Sequence, residues 1–248
     1  MSTPWSPLRA ALTAFHDRGE DVAVTVRNDF GQTEEILGSF FFRTEKAFED
    51  WESIALGRCG PRVLDIGAGV GAHALVLQAR GHEVTALDRI PEAVRIMRER
   101  GVEDAREGTV FEVPSDKVYD TVILLMNGSM ITETLSGLDR LLGAAAKVLE
   151  PGGALILDST DLRDDMDAEG DDDDGYIGEL QYQLSVGEHV GDVFPQLFVD
   201  PDTLDTRARL AGWDMEVIWR GSDGRYLALM SVTDDAAGQD GAVSEALA

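Results

Sequence analysis

Lysine is scarce in this 248-residue chain: only three of its 21 basic residues are lysine (Lys46, Lys117 and Lys147), and the rest are arginine. Against them stand 47 acidic residues, so the formal charge is −26. Nucleic-acid binding rests on clustered Lys and Arg that neutralise phosphates, and this composition argues against it. The same shortage argues against docking on an anionic membrane surface. Long apolar runs are also missing; none approaches the ~20 residues of a membrane-spanning helix. Cysteine occurs once, at Cys59, which excludes an internal disulfide. The opening segment MSTPWSPLRAALTAF lacks the basic and then apolar layout of a secretory signal, so a cytoplasmic setting is expected.

The acidity is spread along the chain. Setting aside segment 161–174 (nine acids, one Arg) and segment 234–248 (four acids) still leaves −14. An acidic, lysine-poor surface suits a protein working in concentrated salt, where counter-ions screen self-repulsion. A halophilic source is therefore expected, with a melting temperature that rises as KCl is added. A melting temperature that stays level or falls with KCl would count against it.

Hydrophobic residues make up 44% of the chain, enough for a sizeable core, and the length suits one large α/β domain with an appendage. Residues 7–17 carry Leu8, Ala11, Leu12 and Phe15 at helical spacing, closed by Gly19. Segments 22–26 and 36–42 read as strands or loop segments around a turn at 28–31. Thr44 reads as the N-cap of a helix over 45–57. From residue 62 the pattern changes. Apolar strands at 62–67, 82–88, 120–126 and 154–158 alternate with helices at 71–80, 91–100 and 134–149. Strands this apolar are covered on both faces, which predicts a doubly wound, mostly parallel sheet. Beyond it, segment 161–174 reads as a solvated acidic loop, 179–186 as a half-buried strand, and 190–198 as its partner. Pro201 opens a helix to about 211, and segments 213–220 and 225–232 form a hairpin around 221–224. The expected division is a helical N-terminal cap (1–58), a core domain (59–233) with a β-hairpin insert (161–200), and a disordered acidic tail (234–248).

The most informative segment is Val63-Leu64-Asp65-Ile66-Gly67-Ala68-Gly69-Val70-Gly71-Ala72-His73. Its glycines let the backbone turn tightly after a strand and approach a ligand closely, a nucleotide-type site at a sheet's carboxyl edge. Gly67, Gly69 and Ala72 also satisfy a loose dinucleotide fingerprint, with Asp88 at ribose distance. That keeps an NAD-dependent oxidoreductase open as an alternative. Asp65 argues the other way, because a carboxylate there attracts an ammonium and repels a pyrophosphate.

Asp65 with the glycine motif, the acid ending VTALD, and the Pro-Gly-Gly turn in LEPGGALILD together resemble the class I S-adenosylmethionine (SAM)-dependent methyltransferases. The resemblance covers roughly residues 60–160. It implies a seven-stranded Rossmann-like sheet in the order 3-2-1-4-5-7-6 with an antiparallel last strand. It also implies SAM as cofactor and, for a chain this acidic, a neutral or cationic small-molecule acceptor. By the same resemblance Asp65 with Gly67, Ala68 and Gly69 holds the methionine ammonium. Asp88 accepts from the ribose hydroxyls, Arg89 follows it, and Ile90 covers one adenine face. Where the family commonly places an acid for the adenine amino group, this chain has Thr109, so Thr109 or the main chain of Val110 is expected there. Met126 and Asn127 face the transferred methyl, and Phe42 and Arg43, at the end of the aromatic segment 40–43, lie over the cofactor.

Each residue has a plainer reading. Asp65 can cap a helix, Asp88 can end a strand, and Asn127-Gly128 is a common turn pair. His73, Asp158 and Tyr182 are candidate bases by location only, and no catalytic residue is assigned. His16, His82 and His189 have no partners at metal-ligand spacing in the sequence, and run 171–174 lacks a calcium-loop pattern. No metal is expected. A non-catalytic SAM-binding module is the third reading.

Overall fold

The computed structural model describes residues 3–114, 119–163 and 175–233. Most of the acidic loop and all of the tail expected above lie outside the described residues.

The chain begins with α1 (Ser6–Arg18), which has Pro7 in its first turn and ends where Gly19 takes a left-handed φ of 70°. β1 (Ala23–Asn28) and β2 (Thr33–Leu37) then pair antiparallel. Segment 36–42, open between strand and loop in the sequence, is strand only to Leu37, and residues Gly38–Phe42 form a 3-10 turn. The reason is local packing. A Cβ on Gly38 would fall 3.1 Å from the Ala11 carbonyl oxygen, so the chain bends down onto α1 there. Phe41 and Phe42 thereby pack against Leu12, Val70 and Ile90. The helix expected over 45–57 is shorter as well. Thr44 precedes only a 3-10 turn (Glu45–Ala47), and α2 (Asp50–Gly57) starts from Glu49, whose carboxylate and that of Glu52 form a reciprocal capping box.

The core follows the expected order, with a further strand at 104–107 that was not among those read above and a last parallel strand that begins at Leu149 and runs through the expected Pro-Gly-Gly turn. β3 (Arg62–Ile66), α3 (Ala72–Ala79), β4 (Glu83–Asp88), α4 (Pro91–Arg100) and β5 (Asp104–Glu107) alternate. Then come β6 (Tyr119–Leu124), α5 (Leu135–Val148) and β7 (Leu149–Thr160). β6 stops at Leu124, two residues short of the expected end, because Met126 and Asn127 adopt positive φ and leave the strand. Strands β3 to β7 are parallel, and the central residues of β3, β4, β6 and β7 are buried on both faces.

The insert supplies β8 (Glu179–Val186), β9 (His189–Val190) and β10 (Phe194–Leu197), where one continuous partner strand was expected over 190–198. α6 (Pro201–Leu210) is capped by Asp200, which accepts from the main-chain N–H groups of Asp202 and Thr203. The closing hairpin is β11 (Trp213–Arg220) and β12 (Arg225–Val232). The main sheet runs β11-β12-β7-β6-β3-β4-β5, with β12 antiparallel to both neighbours. In the order of the core strands this is 3-2-1-4-5-7-6. A second sheet, β10-β8-β1-β2, joins the cap to the insert, with Asn28 opposite Tyr182 across about 150 residues of chain. α1 lies between the two layers. One side of it packs on Val24, Leu184 and Phe194 of the second sheet, the other on α4. The carboxyl ends of β3, β4 and β6 therefore meet a roof made of cap and insert.

Candidate functional site

After β3 the chain turns through Gly67, Gly69 and Gly71, with φ of 73°, 57° and 82°, a region that side-chain-bearing residues avoid. A Cβ on Gly67 would collide with Ile131, whereas one on Gly69 would meet nothing within 4 Å. The turn is tight on one side and open on the other. Beneath it sits Asp65, only 2% exposed, with no hydrogen-bond partner for Oδ2. Burial pushes its carboxyl up to about 6, His73 opposes that shift, and the neighbouring Asp88 charge adds to it. A buried acceptor without a donor is costly unless something else satisfies it, and here that would be a cationic N–H group.

Asp88 ends β4. Its Oδ2 accepts from the Gly69 N–H at 2.8 Å and its Oδ1 from the Ile90 N–H at 2.8 Å. Burial raises this carboxyl to about 6 against those two bonds. Each oxygen keeps a further lone pair for a ligand hydroxyl. Arg89 is turned outward: its guanidinium pairs with Glu133 at 3.4 Å on an exposed surface. Ile90 is buried against Leu12 and Val70. Val110 is buried in the main core cluster. Thr109 is occupied, because its N–H and Oγ1 both donate to Glu112 Oε2, at 2.8 and 3.1 Å. An acid thus stands at the end of β5 after all, supplied from three residues further on.

At the end of β6, Met126 (φ 72°) and Asn127 (φ 57°) form a left-handed turn. Asp158, at 0% exposure, holds it: Oδ2 accepts from the Asn127 N–H at 2.8 Å and Oδ1 from the Gly128 N–H at 3.1 Å. Arg225 donates to Oδ2 of the same carboxylate at 2.9 Å. Three donors leave Asp158 poorly placed to take a proton from a substrate. From the cap, Arg43 reaches the same turn, with Nη2 2.9 Å from Met126 Sδ, and its buried Nε has no partner. Both terminal nitrogens of Arg43 donate to Glu52, at 3.1 and 3.0 Å, and Glu52 also bonds His73 Nε2 at 2.8 Å. Burial alone would raise the Glu52 carboxyl, but the His73 and Glu49 hydrogen bonds, with the Arg43 charge, hold it below the usual carboxylate range.

The structure therefore gathers Arg43, Asp65, His73 and Met126 around one corner, with Asp88 and Thr109 along the neighbouring strand ends. Tyr182 belongs to the second sheet, stacked on Phe198 at 5.9 Å. His16 does lie with Asp17 and Glu99, ligand atoms within 4.8 Å of one another, but Arg95 already donates to both acids. Sequence reading missed Glu52, Glu112 and Arg225. The capping-box spacings Glu49/Glu52 and Thr109/Glu112 are the local signals that pointed to two of them.

A buried acid under a glycine turn, a second acid ending the adjacent strand, and a 3-2-1-4-5-7-6 sheet define a methyltransferase of the SAM-binding Rossmann-like class. A family model described as a methyltransferase domain matches residues 37–217. The crystal structure of a SAM-dependent methyltransferase from Bacteroides fragilis, in complex with S-adenosyl-L-homocysteine, is similar with a TM-score of 0.83 at 33% identity. The match covers 94% of this chain and 97% of that one. The chain belongs to the class I SAM-dependent methyltransferase family. Cypemycin N-terminal methyltransferase from Streptomyces sp is 30% identical over 115 residues, which are 45% of this chain and 47% of that protein. Ubiquinone biosynthesis O-methyltransferase from Xanthomonas oryzae pv. oryzae is 31% identical over 115 residues, 44% of this chain and 46% of that protein. The chain thus spans about half the length of those two relatives. Nothing in these similarities supports the dinucleotide oxidoreductase reading. Among the described residues, no helix is long and apolar enough to cross a membrane.

Proposed function

We propose that this chain moves the sulfonium methyl of SAM to a small-molecule acceptor by in-line displacement. The observation that carries the reading is a pair of buried orphans at one corner of the site: the Asp65 Oδ2 acceptor and the Arg43 Nε donor. One suits an ammonium and the other a carboxylate, the two charges of an amino-acid head group. Bound there, SAM supplies a methyl already activated by positive sulfur. The chain's own task is alignment and exclusion of water.

In this reading Asp65 with the main chain of Gly67, Ala68 and Gly69 takes the ammonium, and Arg43 takes the carboxylate. Asp88 accepts from the ribose hydroxyls, and Ile90 covers the base. Recognition of the adenine amino group passes from Thr109 to Glu112, which occupies both of Thr109's donors and keeps Oε1 for the ligand, with the Val110 main chain beside it. Arg89 contributes its main chain only, since its side chain pairs with Glu133. Met126 and Asn127 face the methyl. The cap (1–58) and the insert (161–200) shape the acceptor pocket, and the −26 charge favours a neutral or cationic acceptor.

The test is transfer of label from methyl-labelled SAM into fractions of a small-molecule extract. One or more fractions are expected to gain label with the wild-type chain. Saturable SAM binding with no labelled product in any fraction would instead identify a non-catalytic SAM-binding module.

A further inference from the structure

Two consecutive left-handed residues at the site, neither of them glycine, need an explanation. Met126 and Asn127 hold φ of 72° and 57°, a conformation that asparagine tolerates but that methionine rarely adopts unless its surroundings impose it. Three contacts impose it here. Asp158 accepts from the N–H groups of Asn127 and Gly128, at 2.8 and 3.1 Å. Thr160 Oγ1 donates to Asn127 Oδ1 at 2.8 Å. Gly128 packs on the strand end so closely that a Cβ would lie 2.5 Å from that of Leu124.

Asp158 is itself held. Arg225, arriving from β12, donates to Oδ2 at 2.9 Å, and its guanidinium lies 5.0 Å from the Trp51 ring centre. Trp51 is buried in α2, next to Glu52, which holds Arg43 against Met126 from the opposite side. Two arginine–carboxylate pairs therefore grip one turn, and adjacent residues of a single short helix support both. A carboxylate buried at 0% exposure and committed to three donors is a fixed anchor. It leaves the main chain at 126–128 little freedom.

We propose that Asp158 and Arg225 are positioning residues that set the turn at 126–127 against the sulfonium methyl. This rests on the reading that the turn faces that methyl. Because the turn would touch the sulfonium end of the cofactor alone, loosening it should change how well the protein separates SAM from S-adenosyl-L-homocysteine, which lacks the methyl and its charge. General loss of structure would weaken both ligands alike.

Calorimetric titration of both ligands into the wild type, Asp158→Asn and Arg225→Gln tests the proposal. In Asp158→Asn the new NH2 group opposes a main-chain N–H, and Arg225 loses its counter-charge. In Arg225→Gln the folded core keeps its carboxylate, and Arg225 is partly exposed, so this variant serves if the first fails to fold. The ratio of the two dissociation constants is expected to move by about fivefold or more in either variant, with SAM losing more. An unchanged ratio in a folded variant overturns the positioning role. Failure of the wild type to bind either ligand overturns the proposed function itself, a separate outcome.

Discussion

Replacing Glu52 by alanine is expected to lower the stability of the protein by about 3–5 kcal/mol, the range for removing one partner of a buried ion pair. Glu52 is fully buried and serves three groups: both terminal nitrogens of Arg43, the His73 ring, and the Glu49 N–H. Its loss would strand the Arg43 guanidinium between Phe40 and Phe48, whose rings lie 4.3 and 5.6 Å from it. It would also remove half of the capping box that starts α2. For a domain of this size the melting temperature should drop on the order of 10 °C. Glu52→Gln keeps the shape and one acceptor and should lose less. A melting temperature within about 1 °C of wild type for Glu52→Ala would mean the network is not structural.

The core of the fold was open to reading because its strands are apolar on both faces; Val122, Ile123 and Leu124 need no partner information to be recognised as buried. The second sheet was not open in that way. β1 and β8 are half-buried strands about 150 residues apart, and nothing local in Asn28 says that it will face Tyr182. Asp65 and Asp88 stood out from 45 other acids because each sits at a strand end beside the glycine turn. Glu52 looked like any acid on a surface helix. Its burial depends on Arg43 and His73, nine and 21 residues away, which only the folded chain brings to it. The left-handed turn at 126–127 was legible only at Asn127-Gly128, a common turn pair; methionine has no preference for positive φ, so its part in the turn carried no signal. Thr109 stands out in the sequence as a departure from the family pattern, but the placing of Glu112 beside it depends on the 3-10 turn that folds Glu112 back.

Cofactor affinity is expected to rise with pH through about 6 and then level off, and to fall about tenfold to a hundredfold in Asp65→Asn. Burial lifts both Asp65 and Asp88 to about 6, above their unfolded values. Each therefore takes up a proton in the folded apo-protein between roughly pH 4 and 6, before the unfolded chain does. That contribution to apo stability is present below pH ~4 and is lost as pH rises through ~6. Binding has the opposite sign. An ammonium needs Asp65 ionised, and ribose hydroxyls donate best to an ionised Asp88, so SAM competes with protons at both sites. With a single site at about 6, lowering the pH to about 5 should weaken binding roughly tenfold, and more if both acids respond.

This carboxyl edge is expected to recognise SAM through its buried acids. Calorimetric titration of SAM into the wild type and Asp65→Asn, at about pH 5 and about pH 8, decides whether it does. One-site binding is expected for the wild type, at least about tenfold tighter at the higher pH, and weaker binding for the variant, with a smaller pH dependence that Asp88 retains. Equal affinity in the two proteins, or wild-type affinity that does not change between the two pH values, would contradict it.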